Sequence, residues 1–354
     1  MSADKPTITI ANRDIGINFP PYVIAELSAN HNGDIDRAKS IILAAKKAGA
    51  DAVKLQTYRP DTITLKSTRD EFKVKNGLWK GKTLYELYEW AHTPWEWHRP
   101  LFDYARSLEL TIFSSPFDNS AVDLLEDLNA PAYKIASCEL IDLPLINYVA
   151  STGKPMIIST GMGSVEEISA AIDAARDGGC KELAILRCVS GYPAPAEEYN
   201  LRTLTDMLQR YGLVTGLSDH TIDNTTAITS IALGSSIIEK HFTLDRNAGG
   251  PDDSFSLEPQ DLKQLCTESK KAWSALGKVT YEVTQSEQPT LKFRRSLYYA
   301  KDVAKGNYIQ EADLISVRPA NGLSPADRHL LVGKKAKYDI SKHTPTKIKD
   351  VEGL

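Results

Sequence analysis

"SIIEKHFTL" (residues 236–244) starts as a strand buried on both faces and ends on three ionisable side chains, Glu239, Lys240 and His241. "VTGLSDHT" (214–221) has the same plan, an apolar run closing on Asp219 and His220. Six more apolar runs precede them: "YVIAEL" (22–27), "AVKLQT" (52–57), "LTIFSS" (110–115), "AYKIAS" (132–137), "PMIIST" (155–160) and "LAILRCV" (183–189). Segments with helical spacing separate the runs, among them "DRAKSIILAAKKAGA", "SAVDLLEDLN" and "VEEISAAIDAARDGG". The last has acidic residues in its first turn and glycines at its end, as helix termini prefer. Parallel strands need crossover connections, so this alternation predicts βαβ units around a parallel sheet. Eight strands over about 250 residues predict a (β/α)8 TIM barrel. A doubly wound sheet would carry a Gly-rich dinucleotide fingerprint after its first strand, where "ELSANHNGD" stands instead.

The barrel domain is expected over 1–281. Residues 282–293, "EVTQSEQPTLKF", are polar and aperiodic and read as a linker. Residues 294–354 have short β-prone pieces with turns at "AKGN" and "ANG", which predicts a small β-rich domain. So small a domain has little core of its own and gains from packing on a partner.

Forty-two basic residues against 46 acidic ones give a net charge of −4. That is too slight to imply nucleic acid or an anionic membrane as partner. No apolar run approaches the roughly 20 residues that span a bilayer, and "MSADKPTITI" lacks the pattern of a secretory signal. The four cysteines form no CxxC pair. These readings give a cytoplasmic protein with reduced thiols as the expectation.

In such barrels the chemistry sits at the C-terminal ends of the strands. Read in order, those ends deliver Glu26; Lys54 and Gln56; Ser115; Lys134 and Ser137; Ser159; Tyr192; Asp219 and His220; Glu239 and His241. Polar loops explain a single serine, but charged groups at a barrel mouth are costly unless paired or used. The seventh and eighth strands are neighbours in a barrel, so His220 and His241 can face the same point. Two imidazoles with nearby carboxylates suit a divalent transition ion, and a hydrogen-bonded structural pair fits the spacing as well. Lys54 and Lys134 among serine hydroxyls suit a phosphate or carboxylate ligand. A Schiff-base lysine would instead need an apolar setting.

"IAELSANHNGD", "SSPFD", "APAYKIASCE", "GKPMIISTGM", "CVSGYPAP", "GLSDHT", "IEKHFTL" and "GPDDSFSLEP" together resemble the sialic acid synthase family in its own order. "RRSLYYAKDVAKG" and "VRPANGLSP" resemble that family's C-terminal antifreeze-like (SAF) domain. The resemblance implies condensation of phosphoenolpyruvate with an acetamido sugar, giving a nine-carbon 2-keto acid and phosphate. It implies a divalent ion (Mn²⁺, Co²⁺ or Mg²⁺) on His220 and His241. It also implies Glu26 and Glu239 at the reacting centre and phosphoenolpyruvate contacts from Lys54, Gln56, Ser115, Lys134, Ser137 and Ser159. Glu139, Tyr192 and Asp219 fall to the substrate side. Arg318 would reach the sugar site of the other subunit in a domain-swapped homodimer.

"LQTYRPDTITL" and "LYELYEWAHTPWEWH" resemble the branch that makes pseudaminate from 2,4-diacetamido-2,4,6-trideoxy-L-altrose. The neuraminate and legionaminate branches are the alternatives, and a non-catalytic sugar-binding barrel is a more remote one. Ser190 stands where the neuraminate branch has a substrate-binding asparagine, and Arg187 and Cys138 also depart from the commoner pattern.

Overall fold

The computed structural model describes residues 5–353. The chain divides into two compact units, Met1–Gly277 and Lys278–Leu354. A short antiparallel hairpin, β1 (Ile8–Ile10) and β2 (Arg13–Ile15), comes first. Eight strands follow: β3 (Tyr22–Glu26), β4 (Ala52–Thr57), β5 (Thr111–Pro116), β6 (Tyr133–Ile135), β7 (Met156–Ser159), β8 (Leu183–Cys188), β9 (Val214–Asp219) and β10 (Ile237–His241). They pair in parallel as a closed barrel in which β10 meets β3. Every apolar run read from the sequence holds one of them, so the TIM-barrel expectation is met.

Period-two alternation sorts the strand residues into two cores. Outward side chains such as Val23, Val53, Ile112, Ile158, Ile185 and Ile238 pack against the surrounding helices. Inward ones such as Ile24, Ala52, Phe113, Ile157, Leu186 and Ile237 fill the lower half of the barrel. Ile8, Ile10 and Ile15 of the hairpin belong to this second cluster and plug its N-terminal end. The Thr9 amide donates to the Glu182 carboxylate at 2.8 Å, and Arg13 pairs with Asp51, so the plug is fastened beside two strand starts.

The helices start and stop on local signals. Asp34 caps Ile35–Ala48 by accepting from the Asp36 and Arg37 amides, and Gly49 ends it at φ 90°, which favours glycine. Ser164 and Glu167 form a capping box at the head of Val165–Asp177.

In the smaller unit β11 (Ser296–Tyr299) pairs antiparallel with β12 (Leu314–Val317) over a core that includes Leu297, Tyr299, Ile309, Leu331 and Ile340. The division at 277/278 falls slightly earlier than the expected domain end. Part of the stretch expected as linker is a 3₁₀ helix, Gln288–Phe293. No helix among the described residues is long and apolar enough to cross a membrane.

Candidate active site

The inward positions directly above the apolar layer are polar. Strand alternation carries Ile24 to Glu26, Ala52 to Lys54, Phe113 to Ser115 and Ile237 to Glu239, and Lys134 and Ser159 complete the ring. Glu26, Lys54, Lys134 and Glu239 are all buried, none more than 6% exposed. Lys134 Nζ donates to both Glu239 oxygens, at 2.9 and 3.0 Å. Lys54 Nζ pairs with Glu26, lies 3.6 Å from Glu239 Oε1 and donates to Ser115 Oγ at 3.2 Å.

Two ammonium groups and two carboxylates make a neutral cluster, and its members titrate differently. Burial pushes the Glu26 carboxyl above its ordinary range despite Lys54. Burial would also raise Glu239, but Lys134 and Lys54 outweigh it and hold that carboxyl low. Burial would lower the Lys54 ammonium, yet Glu239 and Glu26 raise it. Lys134 stays below its usual value, because burial and the Lys54 charge exceed the pull of Glu239. Beside this cluster the Ser159 and Ser190 hydroxyls are buried without a partner, while Ser137 Oγ accepts from the Gly161 amide at 3.1 Å. A Cβ on Gly161 would come within 2.5 Å of Ser190 Oγ and 2.7 Å of Ser137 Oγ. The absent side chain therefore leaves those hydroxyls open to a ligand.

Toward solvent the mouth widens into a cavity of about 420 Å³, whose walls include Gln56, Ser137, Glu139, Tyr192, His241 and Asp252. Aromatic rings line it as well: Tyr58, Tyr88, Phe117 and Trp79. The Trp79 indole donates to the Pro251 carbonyl at 2.9 Å. Glu139 has an unpartnered buried oxygen, and burial raises its carboxyl to about 7.

The rings of His220 and His241 lie 5.4 Å apart, and Tyr192 stacks on His220 at 4.4 Å. His220 Nδ1–H donates to the Val189 carbonyl at 2.8 Å, which leaves the Nε2 lone pair. Burial lowers an imidazole, but the Cys188 thiol and the Val189 carbonyl outweigh it and raise His220. His241 is held well below its usual value by burial and by the His220 and lysine charges, and its buried Nδ1 has no partner. An imidazole gives a divalent ion the lone pair of its unprotonated nitrogen, so the two rings have the chemistry of ligands for such an ion once His220 gives up the proton that Cys188 favours. Among the described residues no cluster of three or more His, Cys, Asp or Glu completes such a site, so an ion held here would rely on water or substrate for its other positions.

Most of the residues singled out in the sequence thus meet at one mouth. Two do not. Asp219 follows the inward-facing Ser218 and is turned to the other face of β9, where Lys240 Nζ donates to it at 2.8 Å. Arg318 is exposed just after β12 in the smaller unit and makes no ion pair among the described residues. Asp252 and Cys188 escaped the sequence reading. The first lies in the irregular "GPDD" loop, where no periodicity speaks. The second was legible in principle, because it sits two residues beyond the inward Leu186 on β8.

Buried ammonium groups beside unpartnered hydroxyls have the chemistry to bind a small phosphorylated or carboxylated anion. The NeuB family model matches residues 41–281, and the SAF domain model matches 294–352. The chain belongs to the NeuB family. The pseudaminic acid synthase of Helicobacter pylori is 42% identical over 337 residues, 94% of this chain and 98% of that one. The N,N'-diacetyllegionaminic acid synthase of Campylobacter jejuni is 36% identical over 89% of this chain and 95% of its own. The crystal structure of the N-acetylneuraminic acid synthetase of Leptospira borgpetersenii matches with a TM-score of 0.73 at 29% identity, covering 82% of this chain and 96% of that one.

Proposed function

We propose that the chain is a pseudaminic acid synthase, a transferase that condenses phosphoenolpyruvate with 2,4-diacetamido-2,4,6-trideoxy-L-altrose. The observation that carries the reading is the pair of buried lysines, 54 and 134, among the hydroxyls of Ser115, Ser137 and Ser159, beneath a cavity walled by aromatic rings. The relatives of that name, over 90% or more of this chain, support the choice of sugar.

Lys54 and Lys134 bind the phosphate and carboxylate of phosphoenolpyruvate, trading their present carboxylate partners for the ligand's charges. The serine hydroxyls and Gln56 fix its orientation. His220 and His241 would hold a divalent ion, Mn²⁺, Co²⁺ or Mg²⁺, and the chemistry it would supply there is Lewis-acid polarisation of the sugar aldehyde. C3 of the enol attacks the aldehyde carbon, the C=O π pair goes to the aldehyde oxygen, which takes a proton from solvent to become a hydroxyl, positive charge develops at C2, and water adds there. Glu26 and Glu239 stabilise the charge and take the water's proton, and phosphate leaves by C–O cleavage. Tyr192, Glu139 and the aromatic wall seat the sugar. Arg318 of one copy reaches the sugar site of the other in a homodimer. Its first substrate is a cytoplasmic metabolite, and we place the enzyme there.

The test is phosphate release from phosphoenolpyruvate with Mn²⁺ and a panel of acetamido sugars. The altrose compound should give the highest kcat/KM, and chelation should abolish turnover. Equal kcat/KM for N-acetylmannosamine would contradict the choice of sugar, and full activity in the metal-stripped enzyme would contradict the metal.

A further inference from the structure

We infer that the buried Asp219–Lys240 pair is a positioning device that sets the spacing of His220 and His241; the inference rests on the metal-assisted reading above. Both side chains are almost fully buried, at 1% exposure for Lys240 and 0% for Asp219. Alternation turns Glu239 and His241 into the mouth and Lys240 to the outer face, where Asp219 meets it. The Lys240 ammonium has three donors and three short acceptors: Asp219 Oδ2 at 2.8 Å, the Thr221 carbonyl at 2.7 Å and the Asp223 carbonyl at 2.8 Å. Asp219 Oδ1 in turn accepts from the Thr221 amide at 2.9 Å.

The location gives the network its purpose. Lys240 and Asp219 are the last residues in register between β9 and β10. His241 still has a neighbour in register, Glu26 of β3, but His220 lies past the end of the β9–β10 ladder. Lys240 takes over where the ladder stops, drawing the residues on both sides of His220 toward the residue that precedes His241. An apolar pair of similar volume would pack as well as a buried ion pair and often better. It could not hold two backbone carbonyls of the 221–223 segment. The pair is therefore better explained by where it puts the imidazoles than by stability.

Groups that orient metal ligands without touching the metal typically alter affinity about 10–100-fold when removed. The experiment uses the full chain with Asp219→Asn and Lys240→Met combined, which leaves no unpaired charge, and, as a second variant, Asp219→Asn alone, whose amide oxygen and the two backbone carbonyls still accept from Lys240. Mn²⁺ affinity is read from the signal of the free ion by electron paramagnetic resonance, without turnover. Phosphoenolpyruvate affinity is measured by calorimetry in the absence of metal, and thermal melts establish folding. The paired variant should bind Mn²⁺ about 10–100-fold more weakly and Asp219→Asn several-fold more weakly, with phosphoenolpyruvate affinity kept within about twofold. Unchanged Mn²⁺ affinity in a folded variant, or an equal loss of phosphoenolpyruvate affinity, would overturn the positioning role. If the paired variant does not fold, Asp219→Asn decides alone by the same criteria. His220→Ala serves as control: Mn²⁺ binding indifferent to it would overturn the metal reading itself and this inference with it.

Discussion

Glu139 shows how one residue's surroundings set its chemistry. Its carboxyl is raised by burial from 4.5 to about 7, so the folded protein keeps a proton that the unfolded chain has lost over that interval. Folding stability therefore falls as pH rises from about 4.5 to 7, and the full cost persists above 7. Glu139→Gln is neutral at every pH. Its melting temperature should gain on the wild type steadily across that window and then hold the gain. A constant difference would mean that Glu139 titrates as an ordinary carboxylate. At this scale the sequence was a good guide wherever a residue sat at a strand end, because alternation then fixes its direction. It misled at Asp219, which has the right chemistry and the wrong parity. One position along a strand is the whole distance between the mouth and the outer face. Asp252 was beyond reach for a different reason: a loop without period gives no direction to any of its side chains.

The elements were legible because buried parallel strands leave continuous apolar runs and helices leave caps. The hairpin of β1 and β2 was not, since three-residue strands are too short for a period to appear. Its place as a plug emerges only from what it covers. Gly216 on β9 sits at a crowded point of the barrel interior: a Cβ there would lie 2.5 Å from the Ile237 carbonyl and 2.6 Å from Leu186 Cδ2. The carbonyl belongs to the adjoining strand and has little room to move. Gly216→Val should accordingly lower unfolding free energy by about 1–3 kcal/mol, as overpacking does, read from urea denaturation. An unchanged midpoint would show that β9 and β10 can separate at this level without cost, contrary to the close packing described.

The two units carry opposite charge. Residues 278–354 hold 14 Lys and Arg against 9 Asp and Glu, and the remainder of the chain holds 28 against 37. In the homodimer proposed above, attraction between the basic SAF domain of one copy and the acidic barrel of the other would favour association and should weaken as salt screens it. For the proposed dimer, Arg318→Ala and Lys54→Ala proteins should each be nearly inactive. Mixed and allowed to exchange subunits, they should regain part of the activity, because one composite site per heterodimer is intact. Failure to complement, with exchange verified, would mean that Arg318 acts on its own chain's barrel or on none. The sequence suggested this arrangement through resemblance alone, for an exposed arginine has no local signature of a distant partner.

The proposed reaction requires phosphoenolpyruvate, bound by Lys54 and Lys134, to lose phosphate from C2 once the new carbon–carbon bond has formed and water has added. The direct measurement follows oxygen. Phosphoenolpyruvate labelled with ¹⁸O at the bridging C–O–P position is turned over with Mn²⁺ and 2,4-diacetamido-2,4,6-trideoxy-L-altrose, and both products are weighed by mass spectrometry. The account predicts label in the released phosphate, one phosphate for each nine-carbon keto acid, and none of the label in the sugar product. Label retained in the keto acid, or no phosphate released with any acetamido sugar, would contradict it.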